Sequence, residues 1–262
     1  MQTTTGMVHQ FNIIIFLPLF AGIILFVIPD KLRIIKSLFA LIISMIVMWT
    51  AIRIYGAQEE LKINLFGEAA NYKWLEMNGN SIMTFFMLKA GSLNRLILLF
   101  IAVISIIINL YTLYREKNPG FPRHFFSWFL ITVSCSNAVV LADNILLLLF
   151  FWGILGYTLY KLISGNDEQS SAAAKKTLII VGSSDALMIV GIALIWNITG
   201  TFTISEMQIA TTSGSANMAF ILLTIGAFTK AGAFPFHTWI PDYAENAHGI
   251  SSAFLPASLD KL

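Results

Sequence analysis

The sequence predicts an all-α protein: a polytopic transmembrane helical bundle with a broken seventh helix and its N-terminus outside. Three observations carry that prediction. First, 57% of the 262 residues are hydrophobic and 11% are charged, with a mean hydropathy of +0.77; an ordinary soluble domain is about a quarter charged. Second, the apolar residues fall into long runs of the length that crosses a bilayer. Third, the basic residues gather in every second linker between those runs, as the positive-inside rule requires of a protein that weaves through a membrane.

Taken in order, the expected spans are Phe11–Ile28, Ile34–Ile54, Leu93–Tyr114, Phe125–Leu141, Asn144–Ile163, Thr177–Ile198 and Ala216–Phe236. An eighth begins near Ile250 and runs to the end of the chain. The first and fourth are short for the roughly 20 residues that a span needs. Phe11–Ile28 lacks the charged leader and small-residue cleavage site of a signal peptide, so it is read as a retained helix. Lys31, Arg33 and Lys36 follow the first span, Arg115, Lys117 and Arg123 the third, and Lys161, Lys175 and Lys176 the fifth. The other linkers are balanced or acidic, with Asp143 and Glu206 each standing alone. Basic linkers face the cytoplasm, which leaves the N-terminus outside and the chain multi-pass in the cell (inner) membrane.

The stretch from Tyr55 to Lys89 mixes β-forming residues with Gly and Asn turns and predicts a short hairpin. No low-complexity region or internal repeat stands out. The chain divides into residues 1–92, two helices and an extracytoplasmic loop, and residues 93–262, the first half of a larger transmembrane domain. "SSAFLPASLDKL" stops inside an apolar helix, where a terminal carboxylate is costly. The chain is therefore expected to be the N-terminal part of a longer protein, cut within its eighth helix.

Charges at membrane depth cost about 2.5–3.5 kcal/mol each on insertion scales, so each is a functional candidate. Asp185 lies inside the sixth span, Lys230 near the end of the seventh, and Asp260 and Lys261 in the eighth. A desolvated ammonium releases its proton more readily and a nearby carboxylate does the reverse. Lys230, with Asp185 as partner, is thus the expected proton-loading site. The competing reading is a static ion pair between two helices. Gly232 and Pro235 favour the first, because they break the helix beside the lysine, and non-helical backbone at membrane depth lines cavities or lies buried in protein. His237 after the break can relay protons or bind the freed carbonyls. His248 is a further path candidate, whereas His9 and His124 are expected in solvent or headgroups. Trp49, Trp74, Trp128 and Trp239 fit an interfacial belt. Cys135, the only cysteine, is read as a small apolar helix residue that excludes disulfides and thiolate metal clusters. Scattered basic residues speak against nucleic-acid binding.

The run "TKAGAFPFHTWIPD" resembles the signature of the antiporter-like proton-translocating membrane subunits, close to T-K-S/A-x-x-x-P-F-H-x-W-L-P-D. These occur in respiratory complex I, membrane-bound hydrogenase and formate hydrogenlyase complexes, and multi-subunit cation/proton antiporters. "LILLFIAVISIIINLYTLY", "NILLLLFFWGILGYTLYKLI" and "AAAKKTLIIVGSSDALMIVGI" are similar to the family's third, fifth and sixth helices. The resemblance implies two inverted five-helix units, the first held here up to just past its broken helix, with Lys230 carrying protons and Asp185 at a shared acidic position. Two departures stand out. Gly153 occupies the place of the glutamate usual in the fifth helix, and Leu255 or Pro256 that of a histidine in the eighth.

The resemblance implies a proton-translocating subunit of a respiratory or hydrogenase-type redox complex that works with other membrane subunits and holds no metal or cofactor itself. Protons would pass between Asp185 and Lys230 and, through His237, to Lys261 or Asp260. The alternatives are a subunit of a sodium/proton antiporter, an assembly subunit without transport, and a proton-coupled inorganic-carbon uptake component.

Overall fold

A computed structural model describes residues 2–57, 60–65, 76–77, 80–115, 124–165, 167–209 and 213–246. Among them run eight helices: α1 (Gln2–Val27), α2 (Arg33–Tyr55), α3 (Ser92–Arg115), α4 (Phe125–Leu141), α5 (Ile145–Ile163), α6 (Glu168–Thr199), α7 (Gly214–Ala231) and α8 (Trp239–Asn246). Helices α1, α2, α3, α5 and α6 are long and apolar enough to cross a membrane. The predicted all-α polytopic bundle is what the chain adopts. Its boundaries differ most from expectation in three places, the first being α1, which starts at Gln2 and not at Phe11. Helix α6 starts nine residues before Thr177, where Asp167 caps it by accepting the Ser170 N–H at 2.8 Å. The seventh span, expected through Phe236, stops at Ala231, and a separate short helix, α8, follows. The eighth span expected near Ile250 lies outside the described residues.

The expected hairpin between α2 and α3 forms as β1 (Leu61–Asn64) paired antiparallel with β4 (Met87–Ala90), and a second short pair, β2 (Glu76–Met77) with β3 (Asn80–Ser81), sits between them in sequence. Asn144 caps α5 through the Leu146 and Leu147 N–H groups, and Ser213 caps α7 through that of Ala216. These short polar side chains satisfy amides that a helix start leaves without partners.

Helices α1 to α4 share one core around Phe11, Ile14, Leu25, Val47, Leu98, Phe129 and Leu130. Helix α4 is the shortest of them because it lies inside: nearly every one of its residues is buried, including Cys135 at 0% exposure. Lipid would meet the outward rows of the others, such as Ile23, Ile42, Ile107 and Ile189. Close approach of helices depends on glycine at two points. A Cβ on Gly22 would meet the Ser127 carbonyl at 2.8 Å, and one on Gly226 would overlap the Met188 side chain. Small residues at helix contacts are how membrane bundles gain van der Waals packing without a hydrophobic drive between helices.

Pro18 interrupts the hydrogen-bond ladder of α1. Having no N–H, it leaves the Ile14 carbonyl without its helical donor, and Ile14 is fully buried. Asn137 on α4 donates to that carbonyl at 3.1 Å, and Ser134 donates to the neighbouring Ile15 carbonyl at 2.6 Å. An apolar residue at 137 would leave a buried acceptor unsatisfied. Asn137→Val is therefore expected to cost about 1–3 kcal/mol. In a Pro18→Ala background, where the backbone N–H returns, the loss should shrink by more than half. A double-mutant cycle on thermal unfolding of the purified protein measures this, and equal losses in both backgrounds would disprove the pairing.

Candidate functional site: a buried lysine at a helix end

Lys230 stands one residue from the end of α7 and is 1% exposed. The helix ends there for a local reason. Gly232 adopts the left-handed conformation (φ 66°), its N–H bonds the Thr229 carbonyl at 3.1 Å, and the Ala233 N–H bonds that of Phe228 at 2.8 Å. This pair of bonds closes a helix around a glycine, and a side chain there would strain the backbone. Trp239, at the start of α8, adds a third tie by donating its indole N–H to the Thr229 carbonyl at 2.9 Å.

Trp239 is 0% exposed and packs with Tyr243 against Leu159, Ile163, Ala173 and Val181. The interfacial-belt expectation was wrong for this residue: its indole is needed at the break, where a freed carbonyl sits away from water. Trp239→Phe keeps most of the ring but removes the donor. It is expected to destabilise the protein by about 0.5–1.5 kcal/mol, the net contribution of one hydrogen bond, because the Thr229 carbonyl keeps the Gly232 N–H. A thermal unfolding midpoint unchanged by this substitution would contradict the assignment. Of the other belt candidates, Trp49 is exposed beneath Arg53. Trp128 packs on Phe26 and Tyr157, and Trp74 lies outside the described residues.

The Lys230 ammonium donates to the backbone carbonyl of Trp152 on α5 at 2.8 Å and sits 4.3 Å from the centre of the same indole ring. The indole Nε1–H in turn donates to Asp185 Oδ1 on α6 at 2.7 Å. Three helices thus deliver a cation, a π-face with an N–H, and a carboxylate to one place. Asp185 is half-buried, and the aromatic ring is the bridge between it and the lysine. An indole face attracts an ammonium most strongly when both are desolvated, and a buried indole N–H seeks an acceptor.

Trp152 is the residue that sequence reading missed. Its signal was available: a tryptophan at membrane depth, beside the position where the family's glutamate was expected. Gly153 itself is exposed, and a Cβ added there would meet nothing within 4 Å. The position next to Trp152 therefore opens away from the lysine.

Not all candidates gather here. His237 lies exposed in the break with its ring against Phe234, 5.7 Å between centroids. Pro235 is exposed in the same segment, while Gly232 closes α7 as expected. His248, Asp260 and Lys261 lie outside the described residues. His9 is exposed, as expected, but His124 is only half-exposed, with its ring against Phe26. Among the described residues no group of His, Cys, Asp and Glu could hold a metal ion.

At the other end of the bundle, three linkers meet. Asp143, between α4 and α5, is 2% exposed. Its carboxylate accepts from the Ser205 N–H at 3.0 Å and the Ser205 hydroxyl at 2.7 Å, and it pairs with Lys62 of β1 at 3.3 Å. Lys62 also pairs with Glu206 at 3.3 Å. Backbone bonds from Asp143 to Met87 and from Ile204 to Asp143 complete the clasp. Asp143 and Glu206, each alone in its linker, are partners through Lys62. The linkers with little net basic charge therefore share one end, as the alternation of basic linkers demands.

The described residues thus form a helical membrane bundle with a buried lysine at a helix break, joined through an indole to an acidic residue. Residues 142–262 match the family described as "NADH:quinone oxidoreductase/Mrp antiporter, TM". The chain is 29% identical over 183 residues to a Na(+)/H(+) antiporter subunit of Alkalihalophilus pseudofirmus, covering 67% of this chain and 23% of that protein. The corresponding Bacillus subtilis subunit is 30% identical over 164 residues, 59% of this chain and 20% of that protein.

The fold is similar to a chain of the Mrp complex from Dietzia sp. DQ12-45-1b, with a TM-score of 0.77 and 14% identity over 94% of this chain and 45% of that one. A chain of an archaeal respiratory membrane complex, the membrane-bound sulfane sulfur reductase, scores 0.72 at 20% identity, over 96% of this chain and 50% of that one. One of Thermus thermophilus respiratory complex I scores 0.71 at 17% identity, with the same coverage. The chain thus spans under a quarter of these curated relatives and about half of these structural neighbours.

Proposed function

We propose that this chain carries the first proton path of an antiporter-like membrane subunit, with Lys230 as the group that loads and releases the proton and Asp185 as its carboxylate partner across Trp152. One observation carries the reading: a 1% exposed ammonium held at a helix end by a carbonyl and an indole face. A lysine in that setting can change its proton affinity when Trp152 or Asp185 moves, because cation–π and carboxylate interactions both favour the charged form. His237, His248, Asp260 and Lys261 remain candidates for the onward route, and Gly232 and Pro235 for the break that gives water access. The basic linkers would face the cytoplasm and the N-terminus the outside.

For the assembly that the subunit serves, the antiporter reading is favoured. The curated relatives are named as Na(+)/H(+) antiporter subunits, and likeness to respiratory complexes rests on fold alone. The chain then works beside other membrane subunits in a cation/proton antiporter. A redox-driven complex is the second reading, supported by those structural neighbours. The native assembly, purified and reconstituted in sealed vesicles, separates them. A sodium pulse without electron donor should move protons in an antiporter, whereas only an electron donor should do so in a redox pump. Proton movement under neither condition would overturn the transport reading.

A further inference from the structure

A second polar line runs between α2 and α3, away from Lys230. Along α2 it comprises Lys36, Ser37 and Ser44, and along the antiparallel α3 it comprises Thr112, Asn109 and Ser105; none is more than 2% exposed. Ser37 and Ser44 are two turns apart on one face of α2, and Thr112, Asn109 and Ser105 follow at spacings of three and four on one face of α3. Asn109 Nδ2 crosses between the helices to donate to Ser44 Oγ at 2.7 Å and also to its own helix at the Ser105 carbonyl, 3.1 Å. Thr112 donates to the Asn109 carbonyl at 2.8 Å and Ser105 to that of Ile101 at 2.6 Å.

A dry seam of hydroxyls that only stapled α2 to α3 would close its own bonds. This one does not. The Asn109 carboxamide oxygen and the Ser37 hydroxyl are both buried and have no hydrogen-bond partner in the protein. Buried polar atoms in native proteins are paired with protein or with ordered water. Water is the ligand that fits: it donates to the carboxamide oxygen, both accepts from and donates to serine, and needs only the width of a hydroxyl-lined gap.

We propose that the α2–α3 seam is a hydrated half-channel, a file of water entering beside Lys36 and reaching Asn109 and Ser44 near the middle of α2, separate from the lysine path of α5 to α7. Polar side chains at this depth are costly unless they are paired across helices or hydrated.

The test uses the full chain in its native membrane, with Cys135→Ser as the background. Cysteine is nearly isosteric with serine, so Ser37→Cys and Ser44→Cys keep the packing. Both are expected to react with 2-aminoethyl methanethiosulfonate at least about tenfold faster than Val47→Cys, a fully buried apolar position on the same helix. Equal, slow rates at the three positions would overturn the proposal. The unsubstituted protein gives a second reading through residue-resolved hydroxyl-radical oxidation. Ile108 is 1% exposed, whereas Ile107 and Leu110 are 47% and 53% exposed. Internal water should place more oxygen on Ile108 than on the lipid-facing Ile107 and Leu110, and the lack of such an excess would likewise overturn the proposal.

Discussion

Lys230→Met is expected to abolish proton movement while leaving the folded protein intact. Methionine matches the lysine stem in length and shape, and the site is 1% exposed, so the substitution removes a buried charge without opening a cavity. Insertion should if anything ease, since an intramembrane cation costs about 2.5–3.5 kcal/mol. The Trp152 carbonyl lies inside α5 and keeps a helical donor. Proton flux, by contrast, should fall at least about tenfold, the scale for losing a positioned proton donor.

Lys230→Arg separates the two meanings of the charge. Arginine retains the cation but does not release its proton at any physiological pH. If the lysine only stapled helices, arginine would restore function. If it carries protons, arginine should be as inactive as methionine. Fluorescence-quench assays in inverted vesicles, normalised to the amount of assembled protein, read both. Asp185→Asn completes the series: its carboxamide oxygen can still accept the Trp152 N–H now given to Asp185 Oδ1 at 2.7 Å, so any loss of flux reports the missing charge.

The largest effect on stability should come from Asp143→Ala. This carboxylate is 2% exposed and holds the linker after α6 through two bonds from Ser205. Hydrogen bonds to a charged group contribute about 1.5–3 kcal/mol each, so a loss of about 3 kcal/mol is expected from the two. Lys62→Met should cost less than about 1 kcal/mol, because Lys62 is 36% exposed and solvent screens its pairs. Melting of the purified protein orders the two, and a Lys62→Met effect equal to that of Asp143→Ala would refute the clasp as described.

The clasp also has a pH signature. Burial pulls the Lys62 ammonium down, but hydrogen bonding to Glu206 and the charge of Asp143 outweigh it and raise the group above its ordinary 10.5. A group raised on folding contributes stability that is fully present below its unfolded value and lost as pH rises through its folded one. The stability difference between the unsubstituted protein and Lys62→Met should therefore persist through neutral and mildly alkaline pH and vanish above 10.5. A difference that survived undiminished well above 10.5 would contradict this account.

Much of the fold was legible because the membrane makes every span state itself locally. A run such as Leu93 to Tyr114 must satisfy its own backbone and present apolar side chains, whatever its neighbours do. The end of α7 was legible for the same reason, since Gly232 writes the break into the chain. The exact stop was not: the apolar run continues to Phe236, and only the bonds closed on Phe228 and Thr229 end the helix at Ala231. Trp239 looked like a headgroup anchor because burial depends on what α8 folds against. The missing glutamate at Gly153 was visible, whereas its consequence was not. Trp152, one residue away, links the lysine to Asp185 only once α5, α6 and α7 are side by side.

By its residues alone, this chain declared a membrane protein of many helices with one lysine placed beside a deliberate break, because hydropathy, charge alternation and glycine act within a few residues of themselves. Tertiary structure alone decided what that lysine touches, that Asp143 and Lys62 are partners, and that Asn137 serves the carbonyl Pro18 releases. The lysine and its carbonyl are 78 positions apart and Asn137 and its acceptor 123, and no local pattern encodes a contact that exists only when helices pack.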